Sequence, residues 1–160
     1  MSSSQRRSGD LVRRLAMLFI VAVLVNYPWE RLQSQLYVRP GGAGIPWWLC
    51  LAASLADGLF VLVIFGIGWM ALGSRTWFEQ PRIEGYFVML TSGAVISVGI
   101  EWATVYVLRW WTYGERMPLV PLINIGLVPI TQMLVLPPLI FWGVAVVSRY
   151  ADGMRAGACK

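Results

Sequence analysis

Apolar positions run in four long blocks, and the polar residues inside those blocks recur at helical spacing. The first block, "LAMLFIVAVLV" at 15 to 25, passes straight into the mixed stretch "NYPWERLQSQLY" at 26 to 37. Crossing a bilayer takes roughly 20 apolar residues in a helix. Stretches of that length occur at 11–38, 47–72, 85–108 and 119–147. The connectors "RPGGAGIP", "GSRTWFEQPRIEG" and "RWWTYGERMP" carry the Gly, Pro and charge that end helices, and all are too short for a separate domain. The pattern predicts an all-α, polytopic membrane protein: a four transmembrane helix bundle forming a single domain over 1–160.

Polar positions sharpen this picture. Asn26, Glu30, Gln33 and Tyr37 follow steps of four, three and four, which stack on one face of a helix. Cys50, Ser54 and Asp57 do the same in the second segment, and Ser97, Glu101 and Thr104 in the third, with Arg109 eight residues past Glu101. At about 1.5 Å of rise per residue, Glu30, Asp57 and Glu101 fall at overlapping depths, in the middle-to-outer part of the bilayer. Within the fourth segment, Asn124 is shallow and Gln132 lies about 20 Å deep. A carboxylate facing lipid costs roughly 2.5 to 3.5 kcal/mol, so these faces are expected to point into the bundle, around a shared polar cavity with Arg31 and Arg109 as charge partners. Pro28 and Pro129, inside the first and fourth segments, each remove a helical N–H and free a carbonyl. The amides of Asn26, Gln33, Asn124 and Gln132 suit those freed carbonyls. Trp29 and Trp102 adjoin the buried acids in sequence and are read as aromatic walls of a ligand pocket.

Composition agrees with a membrane protein: 58% of residues are hydrophobic, only 13% are charged, and mean hydropathy is +0.63, far from a soluble domain of 160 residues. The net charge of +5 does not indicate nucleic acid, because the cations stand singly at segment ends and form no basic face. Arg6, Arg7, Arg13, Arg14, Arg75, Arg82, Arg149, Arg155 and Lys160 fall on one side and only Arg39, Arg109 and Arg116 on the other. The positive-inside bias then puts both termini in the cytoplasm of a multi-pass protein of the bacterial inner membrane. A signal peptide is the rival for the first segment, but no small-x-small cleavage site follows it, so it is expected to be retained as a helix. Five tryptophans, Trp47, Trp48, Trp77, Trp110 and Trp111, fall where an interfacial aromatic belt is expected. Ala52 with Ala56, Gly93 with Ser97, and Gly99 with Ala103 are small-xxx-small pairs suited to close helix packing. Two cysteines, Cys50 and Cys159, and no histidine leave the usual metal and haem ligand sets missing, so no metal or cofactor is expected.

Three carboxyl groups in one apolar cavity point to proton chemistry. Glu101 or Asp57, held in an apolar pocket, serves as general acid, and Glu30 as base. The ligand pocket is completed by Asn26, Trp29, Gln33, Tyr37, Trp102, Thr104, Asn124 and Gln132. A site of this kind binds or processes a lipophilic molecule, a lipid or isoprenoid, taken from the bilayer. Two alternatives stand beside it. One is a small proton- or cation-coupled transporter, although the inner halves of the segments have almost no polar lining. The other is an accessory subunit whose polar face meets a membrane protein partner or another copy of itself. A purely structural role, with acids and amides locking the helices together, is the bland counterpart of all three.

The stretches "WERLQ" at 29 to 33, "CLAASLAD" at 50 to 57 and "EWATVYVLRWWTYGERMP" at 101 to 118 resemble a pattern in small uncharacterised bacterial four-helix membrane proteins, a resemblance that covers most of the chain and implies no activity. The third stretch, an acid followed by "WTY" and then Pro, is also similar, over about a tenth of the chain, to membrane enzymes of carotenoid biosynthesis. Sterol-isomerase-type bundles are a more distant likeness, since they rely on a histidine this chain lacks.

Overall fold

The computed structural model describes the backbone from residue 3 to 157 and the side chains from 9 to 150; the basic residues Arg6, Arg7, Arg155 and Lys160, and Cys159, fall outside the described side chains. Among the described residues, four helices are long and apolar enough to cross a membrane. They are α1 (Ser3–Gln33), α2 (Trp47–Leu72), α3 (Ile83–Trp102) and α4 (Leu127–Gly157). By length and composition this is a multi-pass membrane protein. Successive helices run antiparallel, so the ends of α1 and α4 that lead to the chain termini lie at one end of the bundle. That end is called terminal below, and the opposite one distal.

At the distal end the chain departs from simple helix. α1 tightens into a 3-10 turn (Ser34–Leu36), and Tyr37 is extended, with φ −119 and ψ 150. Tyr37 and Val38 form strand β1, paired antiparallel with β2 (Thr112–Tyr113) in the register Tyr37↔Tyr113. α3 widens into a π-helical turn (Ala103–Val107), closed by the Leu108 N–H donating to Ala103 O at 2.8 Å. Arg109 then takes a left-handed φ of 52, which turns the chain out of the helix and across the bundle end. A second two-stranded ladder joins β3 (Leu119–Val120) to β4 (Ile125–Gly126).

That second ladder corrects the sequence reading of the fourth segment. Residues 119–126 are not the start of a helix but a hairpin, turned by Leu122 and Asn124 at φ 74 and 52. α4 begins only at Leu127. Pro129 therefore sits in its first turn, where a missing N–H costs nothing because that donor has no helical acceptor. Pro137 and Pro138 are the prolines inside α4, as Pro28 is inside α1.

α2 keeps the expected bounds. Pro46 precedes it in extended backbone, and Gly73 at φ 68 ends it, its N–H donating to Trp69 O.

The terminal half of the bundle is solid. Leu18, Ala22, Val61, Ile64, Phe78, Ile140, Phe141 and Val144 are buried to within 1% of full enclosure. The α2–α3 loop folds back into this core. Trp77 donates its indole N–H to Phe65 O at 3.2 Å and packs on Phe141 with ring centroids 5.3 Å apart. Trp77 is thus a core residue and not part of an interfacial belt, whereas Trp47, Trp48 and Trp110 are more than half exposed. Arg14 of α1 pairs with Glu79 of the same loop. Of the small residues, Gly93 makes the tight contact: a Cβ there would run into the backbone carbonyl of Met133, while one at Gly99 meets open space.

Gly93→Ala is expected to lower the stability of the detergent-solubilised protein by about 1 to 3 kcal/mol, the cost typical of forcing extra volume into a packed interface. Gly99→Ala should be neutral or slightly stabilising, since alanine favours helix by about 1 kcal/mol. Thermal melts of the two variants against wild type check the opposite signs.

Candidate functional site

A cavity of about 410 Å³ occupies the distal half of the bundle. Its walls are mostly aliphatic and aromatic, and its polar groups form two clusters.

The first cluster is built on Gln132 of α4. Its Nε2 donates toward Asn26 Oδ1 at 2.8 Å, Glu30 Oε1 at 2.9 Å and Asp57 Oδ2 at 2.9 Å, so one amide nitrogen with two protons serves three acceptors from α1 and α2. Gln33 Nε2 donates to Glu30 Oε1 at 2.5 Å and to Gln132 Oε1 at 2.9 Å. Glu30 and Asp57 are thus brought together on one donor nitrogen. Asn26, Glu30 and Gln33 reach a common point because steps of four and three keep them on one face of α1.

Glu101 organises the second cluster. It accepts from two phenols, Tyr37 Oη on Oε1 at 3.0 Å and Tyr113 Oη on Oε2 at 2.9 Å. The β1–β2 pairing is what sets these tyrosines side by side, with ring centroids 5.8 Å apart, and Trp111 meets Tyr37 edge-on at 6.0 Å. Strands, rings and carboxyl together make a cap over the distal mouth. Burial, and beyond it the neighbouring Glu101, push both tyrosine hydroxyls above their ordinary range. They remain hydrogen-bond donors at every physiological pH.

The structure brings Glu30, Asp57, Glu101, Gln33, Tyr37, Thr104 and Gln132 to the cavity wall. Asn26 is fully enclosed behind it, and its Nδ2 donates to Ala22 O at 2.8 Å rather than to the Leu24 carbonyl that Pro28 leaves free. The amides therefore serve the carboxyls more than the prolines. Thr104 turns its hydroxyl back to Ile100 O at 2.8 Å.

Several expected members lie elsewhere. Trp29 packs against the apolar core and donates to Gln33 Oε1 at 3.2 Å, one layer removed from the cavity. Trp102 is 55% exposed, because one residue along α3 rotates it about 100° away from Glu101. Arg31 is displaced from Glu30 in the same way; it is exposed, with its guanidinium 3.8 Å from Cys50 Sγ. Arg109 left the Glu101 azimuth when the helix ended, and Asn124 sits exposed in the hairpin turn, its backbone carbonyl accepting from Tyr106 Oη at 2.6 Å. Among the described residues no ion pair joins Arg31 or Arg109 to the three acids, and no Lys or Arg lines the cavity.

Tyr113, Trp110 and Trp111 are the site residues sequence reasoning missed. Tyr113 reaches Glu101 only through a strand pairing across 76 positions, from 37 to 113, which no local pattern announces. Among the described residues, no three His, Cys, Asp or Glu side chains are grouped so that they could hold a metal ion.

Tyr37→Phe and Tyr113→Phe keep the ring contacts and remove one hydroxyl each. Each should cost the cap about 1 kcal/mol, seen as faster amide exchange by mass spectrometry in peptides covering 37–38 and 110–114, with the transmembrane helices unchanged. Equal exchange in variants and wild type would mean that the Glu101 clasp does not hold the cap. No protein-family model matches this chain, and neither a curated protein nor a solved structure matches it, so the geometry of the cavity carries the functional argument.

Proposed function

We propose that this protein binds a lipophilic molecule in its distal cavity and performs acid/base chemistry on it, with Asp57 as acid and Glu30 as base. We further propose that the distal end faces outward from a bacterial inner membrane, with both termini cytoplasmic. The cation count along the sequence, nine near the chain termini or in the α2–α3 connector against three in the other two connectors, supports that orientation.

The observation that carries the reading is the paired carboxyls. Glu30 and Asp57 share one amide nitrogen at 2.9 Å each, on the wall of a mostly apolar cavity without a basic lining residue. Two carboxyl groups held on one amide nitrogen can divide the work of acid/base catalysis, one delivering a proton while the other removes one. Delivery to one ligand carbon and removal from another relocates a double bond without changing the formula. Glu101 is left out of the pair because both of its oxygens are committed to phenols. Transport across the bundle fits less well, since the terminal half is closed by packed apolar side chains.

The test is isotopic. Purified protein incubated with a bacterial membrane-lipid extract in D2O should install deuterium at a carbon of one extract component, detected by mass spectrometry after back-exchange in water. Glu30→Gln and Asp57→Asn should each lower the rate by about 100-fold or more, with Glu101→Gln affecting it less. Incorporation at the wild-type rate in both Glu30→Gln and Asp57→Asn would contradict the assignment.

A further inference from the structure

We propose that the cavity takes its ligand sideways from the distal leaflet of the bilayer, through the seam between α2 and α3, and that the ligand is a membrane-dissolved alcohol or carbonyl compound whose oxygen bonds to Ser97. This rests on reading the cavity as a lipophile site and adds its entrance and the polar group it selects.

The seams between helices differ in how they are closed. α1 and α4 are tied by Gln33 and Asn26 to Gln132. α3 meets α4 backbone to backbone at Gly93 and Met133. α1 meets α2 where Phe19 and Val23 close over Gly58, and Arg31 reaches Cys50. Between α2 and α3, no hydrogen bond is present among the described residues; these helices are joined at the terminal end by the loop carrying Trp77 and Phe78. At the distal end small side chains stand in the gap. Ala52 and Ala56 lie on the flank of α2 turned away from Gly58, at about 100° per residue, and both line the cavity together with Ile100 of α3. Ala52 and Ile100 are also both exposed, although they line the cavity. The cavity is therefore least enclosed where these small or exposed side chains line it. The distal mouth, by contrast, is covered by the β1–β2 cap.

Ser97 supplies the selectivity. It is 96% enclosed, it lines the cavity, and its Oγ has no hydrogen-bond partner. An unpaired buried hydroxyl normally costs free energy, and serine in a helix commonly returns its proton to the preceding turn, as Ser54 does to Cys50 O at 2.7 Å. Ser97 makes no such bond: its Oγ is itself enclosed at the cavity wall, one turn below Glu101, with donor and acceptor both unmet. A ligand oxygen satisfies it; a hydrocarbon does not.

The experiment uses the full chain in lipid nanodiscs with two photoreactive probes, hexadecanol carrying a mid-chain diazirine and the same diazirine alkane without the hydroxyl, with adducts mapped by peptide mass spectrometry. The alcohol should label cavity residues of α2 and α3, and label them about threefold to tenfold more than the alkane, the ratio one hydrogen bond provides. Ser97→Ala should remove that preference. Ala52→Trp should lower cavity labelling about tenfold, and Ile100→Trp, exposed on the other side of the same seam, should do so if the first variant does not fold. Each variant is accepted on a wild-type melting temperature. Undiminished cavity labelling in the folded seam variants overturns the entrance while leaving the lipophile site standing. Equal labelling by alcohol and alkane in wild type overturns the role of Ser97. No cavity adduct with either probe overturns the lipophile site itself.

Discussion

Gln132 is the side chain on which the distal half of the bundle depends. In a bilayer no water competes for buried polar groups, so each must find its partner inside the protein. The single Nε2 of Gln132, reaching Asn26, Glu30 and Asp57 at 2.8 to 2.9 Å, answers that requirement for two helices at once. It fixes the rotation of α1, α2 and α4 together, since turning any of them by one residue would direct a carboxyl or an amide into lipid. Burying an acid against lipid costs roughly 2.5 to 3.5 kcal/mol on insertion scales. The network is therefore a device of register as much as of chemistry, and the acids can be kept close without cations because amides and phenols supply the donors.

The contrast between the two halves follows from this. Where the side chains are apolar they interlock, and the loop residues Trp77 and Phe78 fill the remaining space between α2 and α4. Where the helices carry carboxyls, amides and alanines, they stand apart and enclose a cavity. Glu101 closes the arrangement from the other side, tying the tyrosines of two short strands and so converting loop segments into a cap. The terminal half is thus closed by packed apolar side chains, and the cavity belongs to the distal half.

Much of this was legible in the sequence, for reasons that also explain what was not. Helical periodicity is local, and so the stacking of Asn26, Glu30 and Gln33, the bounds of α2, and the inward faces of Asp57 and Glu101 could be read directly. Extrapolating beyond a helix end failed. Arg109 keeps no azimuth once the π-helical turn and its left-handed φ intervene, and residues 119–126 mimic a helix start in hydropathy although Pro118, Pro121 and Asn124 mark turns. Adjacency in sequence also misled: Trp102 and Arg31 neighbour the acids along the chain and diverge from them around the helix. Tyr113 and the inward fold of Trp77 depend on long-range contacts, which a single sequence does not encode in any local pattern.

The central claim is that the acidic, aromatic cavity holds a specific lipophilic ligand. The most direct measurement is mass spectrometry of small molecules that co-purify with the protein in mild detergent, comparing wild type with a folded Gln132→Leu variant in which the organising amide is gone. The account predicts one discrete lipophilic species retained at near-stoichiometric level by wild type and lost from the variant. Bulk membrane lipid alone, in equal amounts from both, would contradict it and leave the buried acids as a lock between helices.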